Sequence, residues 1–308
     1  MEDLSKTMQQ LMNQRHLNDN YRQLMDKVYA DPQVIQFYHE HQAELAADVM
    51  TRSAAKLYEF VSEREKLAKG GVTFATGYEP QLLVSNHLID VAYVPTVETQ
   101  EKQAQQALRQ RVKSIAMPKN IRDASLTEFD QDADRAEALM AVLDFKDAYE
   151  ASPKRRHQAL YLAGSFGVGK TYLLAALANE LATDGFSSTL VHFPSFAVEM
   201  KNSIAKNGVA DKLDALKNAP VLMIDDIGAD AMSAWVRDDI LGVILEYRMQ
   251  EELPTFFSSN FSMQQLETEH LRISTRGDDE PLKAQRLMQR IRFLAREITM
   301  VGVNRRPQ

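Results

Sequence analysis

No cysteine occurs among the 308 residues of this chain, so disulfides and thiolate-bound metals are excluded outright, as fits a reducing compartment. Nor is there an apolar run long enough to span a bilayer, and the polar, helix-patterned N-terminus does not read as a signal peptide. A cytosolic protein without membrane attachment is the expectation. An excess of positive charge is missing too, with 36 Lys and Arg against 43 Asp and Glu and a net charge of -7. A surface basic all over is thereby excluded, and any contact with nucleic acid must be local. What is present, 44% hydrophobic and 26% charged residues, suits a globular chain with room for one large domain and a smaller one.

The chain is organised around residues 159–182. A-L-Y-L-A reads as a short buried strand, Gly164-Ser165-Phe166-Gly167-Val168-Gly169-Lys170-Thr171 fits the phosphate-loop pattern G-x-x-x-x-G-K-[ST], and an apolar helix follows. The glycines let the backbone turn tightly, so that successive N–H groups and the positive end of the helix face an anion. Lys170 is placed to reach the β- and γ-phosphates of ATP, and the Thr171 hydroxyl to ligate Mg²⁺. A purely structural glycine turn is the rival reading.

The second half of the site is the apolar run Val221-Leu222-Met223-Ile224 followed by Asp225-Asp226. Such a run reads as a fully buried parallel strand, and carboxylates at its C-terminal end emerge where open α/β sheets bind ligands. Asp225 is placed to hold Mg²⁺ and Asp226 to polarise the attacking water. A helix cap or a surface ion pair is the blander alternative for the two. Thr255 to Ser259 is a further strand, and Asn260 at its end has an amide able to hold water beside the γ-phosphate. Taken alone, Asn260 is simply a turn residue.

Elsewhere the pattern is helical. Leu4, Met8, Leu11 and Met12 share one spacing, Leu24 to Tyr29 suggests a short helix before Pro32, and Glu44 to Lys69 a longer one stopped by Gly70-Gly71. V-T-F-A-T, Q-L-L-V and L-I-D-V-A-Y-V then read as short strands of a small α+β module, residues 1–97. His39, His41 and His87 assemble no tetrahedral ligand set and read as solvated or core residues. Residues 98–134, rich in Gln, Lys, Arg and Asp, read as a partly helical linker, and 135–308 as the larger domain. Within it, Ser195 is a plausible cap for a helix carrying Phe196, Met200 and Ile204, with a second helical segment from Ala210 to Asn218. The tail from Lys283 is basic, with Arg286, Arg290, Arg292, Arg296, Arg305 and Arg306 against Glu297. An arginine there, Arg290 or a neighbour, is a candidate to enter an adjacent subunit's ATP site.

The phosphate loop, L-M-I-D-D-I-G from Leu222, F-F-S-S-N from Phe256 and R-L-M-Q-R-I from Arg286 together resemble the AAA+ ATPases of the initiator and loader group. Within it, S-A-W-V-R-D-D from Ser233 and the closing G-V-N-R-R are similar to the DnaI/DnaC-type loaders of the replicative helicase, the DnaI type above all. The resemblance is specific over about Leu139 to Pro307 and weaker before it. It implies a five-stranded parallel sheet between helices, with the Asn260 strand between those of Lys170 and Asp225. It implies ATP and Mg²⁺ at Lys170, Thr171 and Asp225, a catalytic acid position at Asp226, a sensor at Asn260 and an arginine finger at Arg290. Arg305 or Arg306 approximates a second sensor. The helix pair from Ser195 to Asn218 matches an insert that contacts single-stranded DNA, making Lys201 and Lys206 candidate DNA contacts. The N-terminal module would dock on a hexameric helicase, with the loader itself assembling as a homo-oligomer. Two departures stand out: Asp226 replaces the glutamate of many AAA+ proteins, and the cysteine-rich zinc site of many DnaI-type modules has no cysteine here. Rival readings are an IstB-type transposition helper, a small-molecule kinase, and an adaptor whose ATP site is only structural.

Overall fold

Leu57, Phe60 and Val61 recur at the spacing of one helix face, and that face carries the first of the cores. The computed structural model describes residues 17–117, 121–129, 133–204, 208–229, 232–272 and 279–305. By its contacts the chain divides into Met1–Gln105 and Gln106–Gln308.

The first unit holds α1 (Leu17–Tyr29), α2 (Pro32–His41), the single turn α3 (Val49–Arg52) and α4 (Ala54–Ala68), followed by the antiparallel hairpin β1 (Tyr78–Ser85) and β2 (Leu88–Pro95). Asn86 and His87 both take positive φ, as a two-residue turn of right-twisting strands requires. Asp31 caps α2, accepting from Gln33 N at 3.0 Å, and pairs with Arg64 of α4. The long helix expected over 44–69 begins only at Val49 and is interrupted at Ser53, whose hydroxyl accepts from Ile89 N of the hairpin at 2.9 Å. The strand expected at V-T-F-A-T does not form, and Val72 and Phe74 stand 91% and 83% exposed. The stripe from Leu4 to Met12 lies outside the described residues.

The second unit is built on a sheet of six parallel strands in the order β3-β5-β6-β7-β4-β8. These are β3 (Val112–Ile115), β4 (Ala159–Ala163), β5 (Ser188–His192), β6 (Val221–Asp225), β7 (Thr255–Ser259) and β8 (Ala295–Thr299). Alternation along β4 shows why that strand is apolar throughout: Tyr161 and Ala163 enter one core, Leu160 and Leu162 the other. The core of Leu160 is covered by α6 (Ala133–Ala151) and α7 (Lys170–Thr183), and that of Tyr161 by α8 (Phe193–Ser203), α9 (Val209–Lys217), α10 (Gly242–Gln250) and α11 (Pro281–Leu294). A π-helical turn, Val236–Leu241, precedes α10.

Six strands stand where five were expected, and the edge strand β3 comes from the stretch 98–134 that reads as a linker. Val112 to Ile115 pair in parallel with Ser188 to Val191, while Ala124, Leu126 and Phe129 are buried in the core under α6 and α7. The helix α5 (Val97–Arg111) fits the polar composition better, since it buries none of its residues. The expected strand order does appear: β7 lies between β4 and β6.

Candidate nucleotide site

Strand β4 ends at Ala163, and Gly167 and Gly169 turn the chain through left-handed φ values of 80° and 101° before α7 starts at Lys170. The N–H groups of the first turn of α7, which have no acceptor within the helix, therefore lie beside the cleft at the loop. Lys170 Nζ donates to Gly164 O at 2.7 Å, Ser165 O at 2.9 Å and Asn260 Oδ1 at 2.9 Å. Phe166 stands 59% exposed at the tip of the loop, whereas Val168 is buried in the core.

Parallel pairing brings the ends of β4, β6 and β7 together, so residues distant in sequence meet across this end of the sheet. Thr171 Oγ1 donates to Asp225 Oδ1 at 2.8 Å, and Ser258 Oγ to the same oxygen at 2.6 Å. Burial pushes the Asp225 carboxyl above the usual carboxylate range, against the hydrogen bonds from Ser258 and Thr171. A buried carboxylate oxygen beside a hydroxyl is a hard-oxygen pair suited to Mg²⁺, which takes few protein ligands and keeps the rest for phosphate and water. Among the described residues no group of three or more His, Asp or Glu side chains is placed to hold a metal.

Asp226 follows with φ of 61°, an uncommon backbone for a non-glycine residue, and its N–H donates to Ser258 Oγ at 3.0 Å. That turn aims the carboxylate away from Asp225. It accepts from Asn260 Nδ2 at 3.1 Å and lies 3.7 Å from His192 Nε2, whose Nδ1 sits 2.8 Å from Ser195 Oγ. Ser195, expected as a helix cap, is thus inside the first turn of α8, with His192 at the cap position.

These side chains line one cleft of roughly 680 Å³, in the size range of small-ligand sites. Gly167, Gly169, Lys170, Thr171, Asp225, Asp226, Asn260 and Arg305 all border it. Its other wall comes from Ile121, Glu128, Phe129, Arg135 and Tyr172, with the Phe129 and Tyr172 rings stacked at 6.2 Å and the Arg135 guanidinium 4.9 Å over Phe129. Sequence reasoning passed over this wall, and over His192. A local signal exists only for part of the wall, Ile121 and Phe129 being apolar residues inside a polar stretch.

Not every expected residue comes to the cleft. Arg290 lies on α11, where it donates to Gly242 O at 2.9 Å and Glu246 Oε2 at 3.0 Å. Lys201 is exposed on α8, and Lys206 and Arg306 lie outside the described residues.

Residues 1–93 match the family model of the primosomal protein DnaI N-terminus, and residues 64–272 that of the IstB-like ATP binding proteins. The replicative helicase loader DnaI of Bacillus subtilis (strain 168) is 36% identical over 99% of this chain and 99% of its own length. A crystal structure of DnaI shares 46% identity at a TM-score of 0.56, covering 65% of this chain and 99% of that one. A putative primosome component from Streptococcus pyogenes serotype M3 is similar at 46% identity and a TM-score of 0.54, covering 66% and 99%.

Proposed function

The chain belongs to the DnaI family of replicative helicase loaders and to the IstB-like ATP-binding proteins, and from that premise we propose that it is an ATP-dependent loader that delivers the replicative helicase to single-stranded DNA. The observation that carries this reading is the meeting of Lys170, Thr171, Asp225, Asp226 and Asn260 at one cleft, in a chain similar to DnaI from end to end. The match of residues 1–93 to a DnaI N-terminus favours a loader over a transposition helper.

In this reading the triphosphate of ATP lies over Gly164 to Thr171, with Lys170 on its phosphates. Bound Mg²⁺, held by Thr171 and Asp225, would supply charge neutralisation of the β- and γ-phosphates. The chain's own residues do the rest. Asp226 accepts the proton of the attacking water, and Asn260, already bonded to both Asp226 and Lys170, fixes where that water sits. Arg305 approaches the phosphates from the same subunit, and Arg290 reaches the site of a neighbour in a homo-oligomer. The first unit grips the helicase, while Lys201 on α8 contacts the DNA backbone, with Lys206, outside the described residues, as a second candidate contact. No helix of the described residues is long and apolar enough to cross a membrane, in keeping with work in the cytoplasm.

ATP is then a switch ligand, and it acts only insofar as the two states bind it with different affinity. The test is a pull-down with the replicative helicase using the full chain and residues 1–105 separately. Both should capture it; capture by neither refutes the assignment.

A further inference from the structure

Beyond β8 the chain keeps following the strand beside it. The parallel register pairs Ala163 with Thr299, and the next residues do not turn away. Met300 N–H donates to Ala163 O at 2.6 Å, and Arg305 N–H to Gly167 O at 3.1 Å. Between these bonds, residues 300–305 form an irregular strap laid along the phosphate loop.

The approach is close enough to dictate residue type in the loop. A Cβ on Gly164 would sit 2.2 Å from Met300 O, and one on Gly167 would sit 1.8 Å from Asn304 Oδ1 and 3.2 Å from Asn304 Cα. Gly167 occupies one of the unspecified positions of G-x-x-x-x-G-K-T, so the motif does not by itself call for glycine there. A left-handed backbone and the Asn304 amide together do. Met300 anchors the start of the strap in the core under α6 and α7, whereas residues 301–305 are exposed, with Val301 and Val303 at 57% and 69%. Beyond Met300, burial of apolar side chains thus contributes little to keeping the strap in place, and the contacts with the loop matter correspondingly more. Arg305, at its end, borders the same cleft as Lys170 and Thr171.

We propose that the strap 300–305 positions the phosphate loop for nucleotide, with Asn304 as the positioning residue, and that nucleotide in turn holds the strap down. The proposal rests on reading the cleft as an ATP site. Strap and loop share a backbone hydrogen bond, Arg305 N–H to Gly167 O, and the close approach of Asn304 to Gly167, so the loop shape offered to an anion is the one the strap fits. Ordering a free loop costs conformational entropy at every residue fixed, and a ligand binds more tightly where that ordering has already been done. Linkage then requires reciprocity: whatever factor the strap adds to ATP affinity, ATP adds to strap docking.

The experiment compares the full chain with Asn304→Ala, which retains Arg305, and with a chain lacking residues 302–308. Each is titrated with a fluorescent ATP analogue, and amide exchange over 300–305 is followed with and without ATP. Unchanged Trp235 fluorescence establishes that the variants are folded. The expected result is ATP affinity lowered about 5-fold or more in Asn304→Ala, further in the shortened chain, and exchange over 300–305 slowed by ATP in the unaltered protein. A strap with a merely structural role would change thermal stability while its exchange ignored ATP. That outcome, or undiminished affinity in both variants, overturns the proposal alone. Failure of the unaltered chain to bind ATP overturns the reading of the cleft as well, and helicase capture by residues 1–105 is independent of either.

Discussion

Lys170 Nζ donates to Asn260 Oδ1 at 2.9 Å, joining the phosphate loop to the end of a strand that follows it by 90 residues. Because the same amide donates to Asp226 at 3.1 Å, Asn260 ties the lysine that would hold phosphate to the carboxylate that would activate water. Binding and hydrolysis should therefore separate on mutation. Lys170→Ala should abolish ATP binding and leave helicase capture by the first unit intact. Asn260→Ala should retain most of the binding and lower turnover about 10²-fold, read by analogue titration beside phosphate release with helicase and single-stranded DNA present.

Arg290 is bonded to Glu246 and Gly242 O of its own subunit rather than to its own cleft. If it completes a neighbour's site, Arg290→Ala should lower turnover about 10³-fold with ATP affinity little changed. Mixing Arg290→Ala with Lys170→Ala protein should then restore part of the activity, since some interfaces pair an intact loop with an intact arginine. Absence of recovery in the mixture, with assembly shown by light scattering, would count against action across the boundary.

Asp225→Asn should abolish metal-dependent turnover and yet stabilise the nucleotide-free protein. Burial raises the Asp225 carboxyl pKa in the folded state, so ionising it in place costs more than ionising it in the unfolded chain. Stability is thus fully present below the unfolded value of about 3.9 and is lost as pH rises through the folded one. The substitution removes that penalty. A Tm a few degrees above the unaltered chain's at neutral pH, with the gap closing as pH falls toward the unfolded value, is the calorimetric signature.

Arg248 is fully buried on α10 and donates to five neutral acceptors: Leu216 O, Lys217 O, Ala219 O, Pro254 O and Thr255 Oγ1. Two of these are carbonyls at the C-terminal end of α9, where a helix presents partial negative charge. Arg248→Met would leave several of them without a partner in the core, for a loss of about 3–5 kcal/mol. Urea unfolding followed through Trp235, the chain's single tryptophan, reports on this unit because Trp235 packs against its core.

The loop from Gly164, the strand before Asp225 and the strand before Asn260 were legible because each is a short local pattern, an apolar run closed by polar residues. Their meeting needed only the strand order that the resemblance implies, with β7 between β4 and β6. What escaped depends on contacts with no fixed sequence spacing. His192 matters because β5 happens to end beside Asp226, and T-L-V-H-F says nothing of that neighbour. Phe129 walls the cleft from within a stretch whose composition reads as solvated, beside Arg135 at the start of the next helix. Ser53 interrupts a helix that periodicity runs straight through, its hydroxyl engaged by a hairpin residue.

The strand β3 carries a practical lesson for anyone isolating the second unit. A fragment begun at residue 135, where the sequence suggests the domain starts, would discard Val112 to Ile115 and lay bare the outer rim of Ser188 to Val191. A naked rim of unpaired amides and carbonyls recruits further strands from other molecules. Such a fragment should come out of expression as aggregate, and one begun at residue 106 as soluble protein.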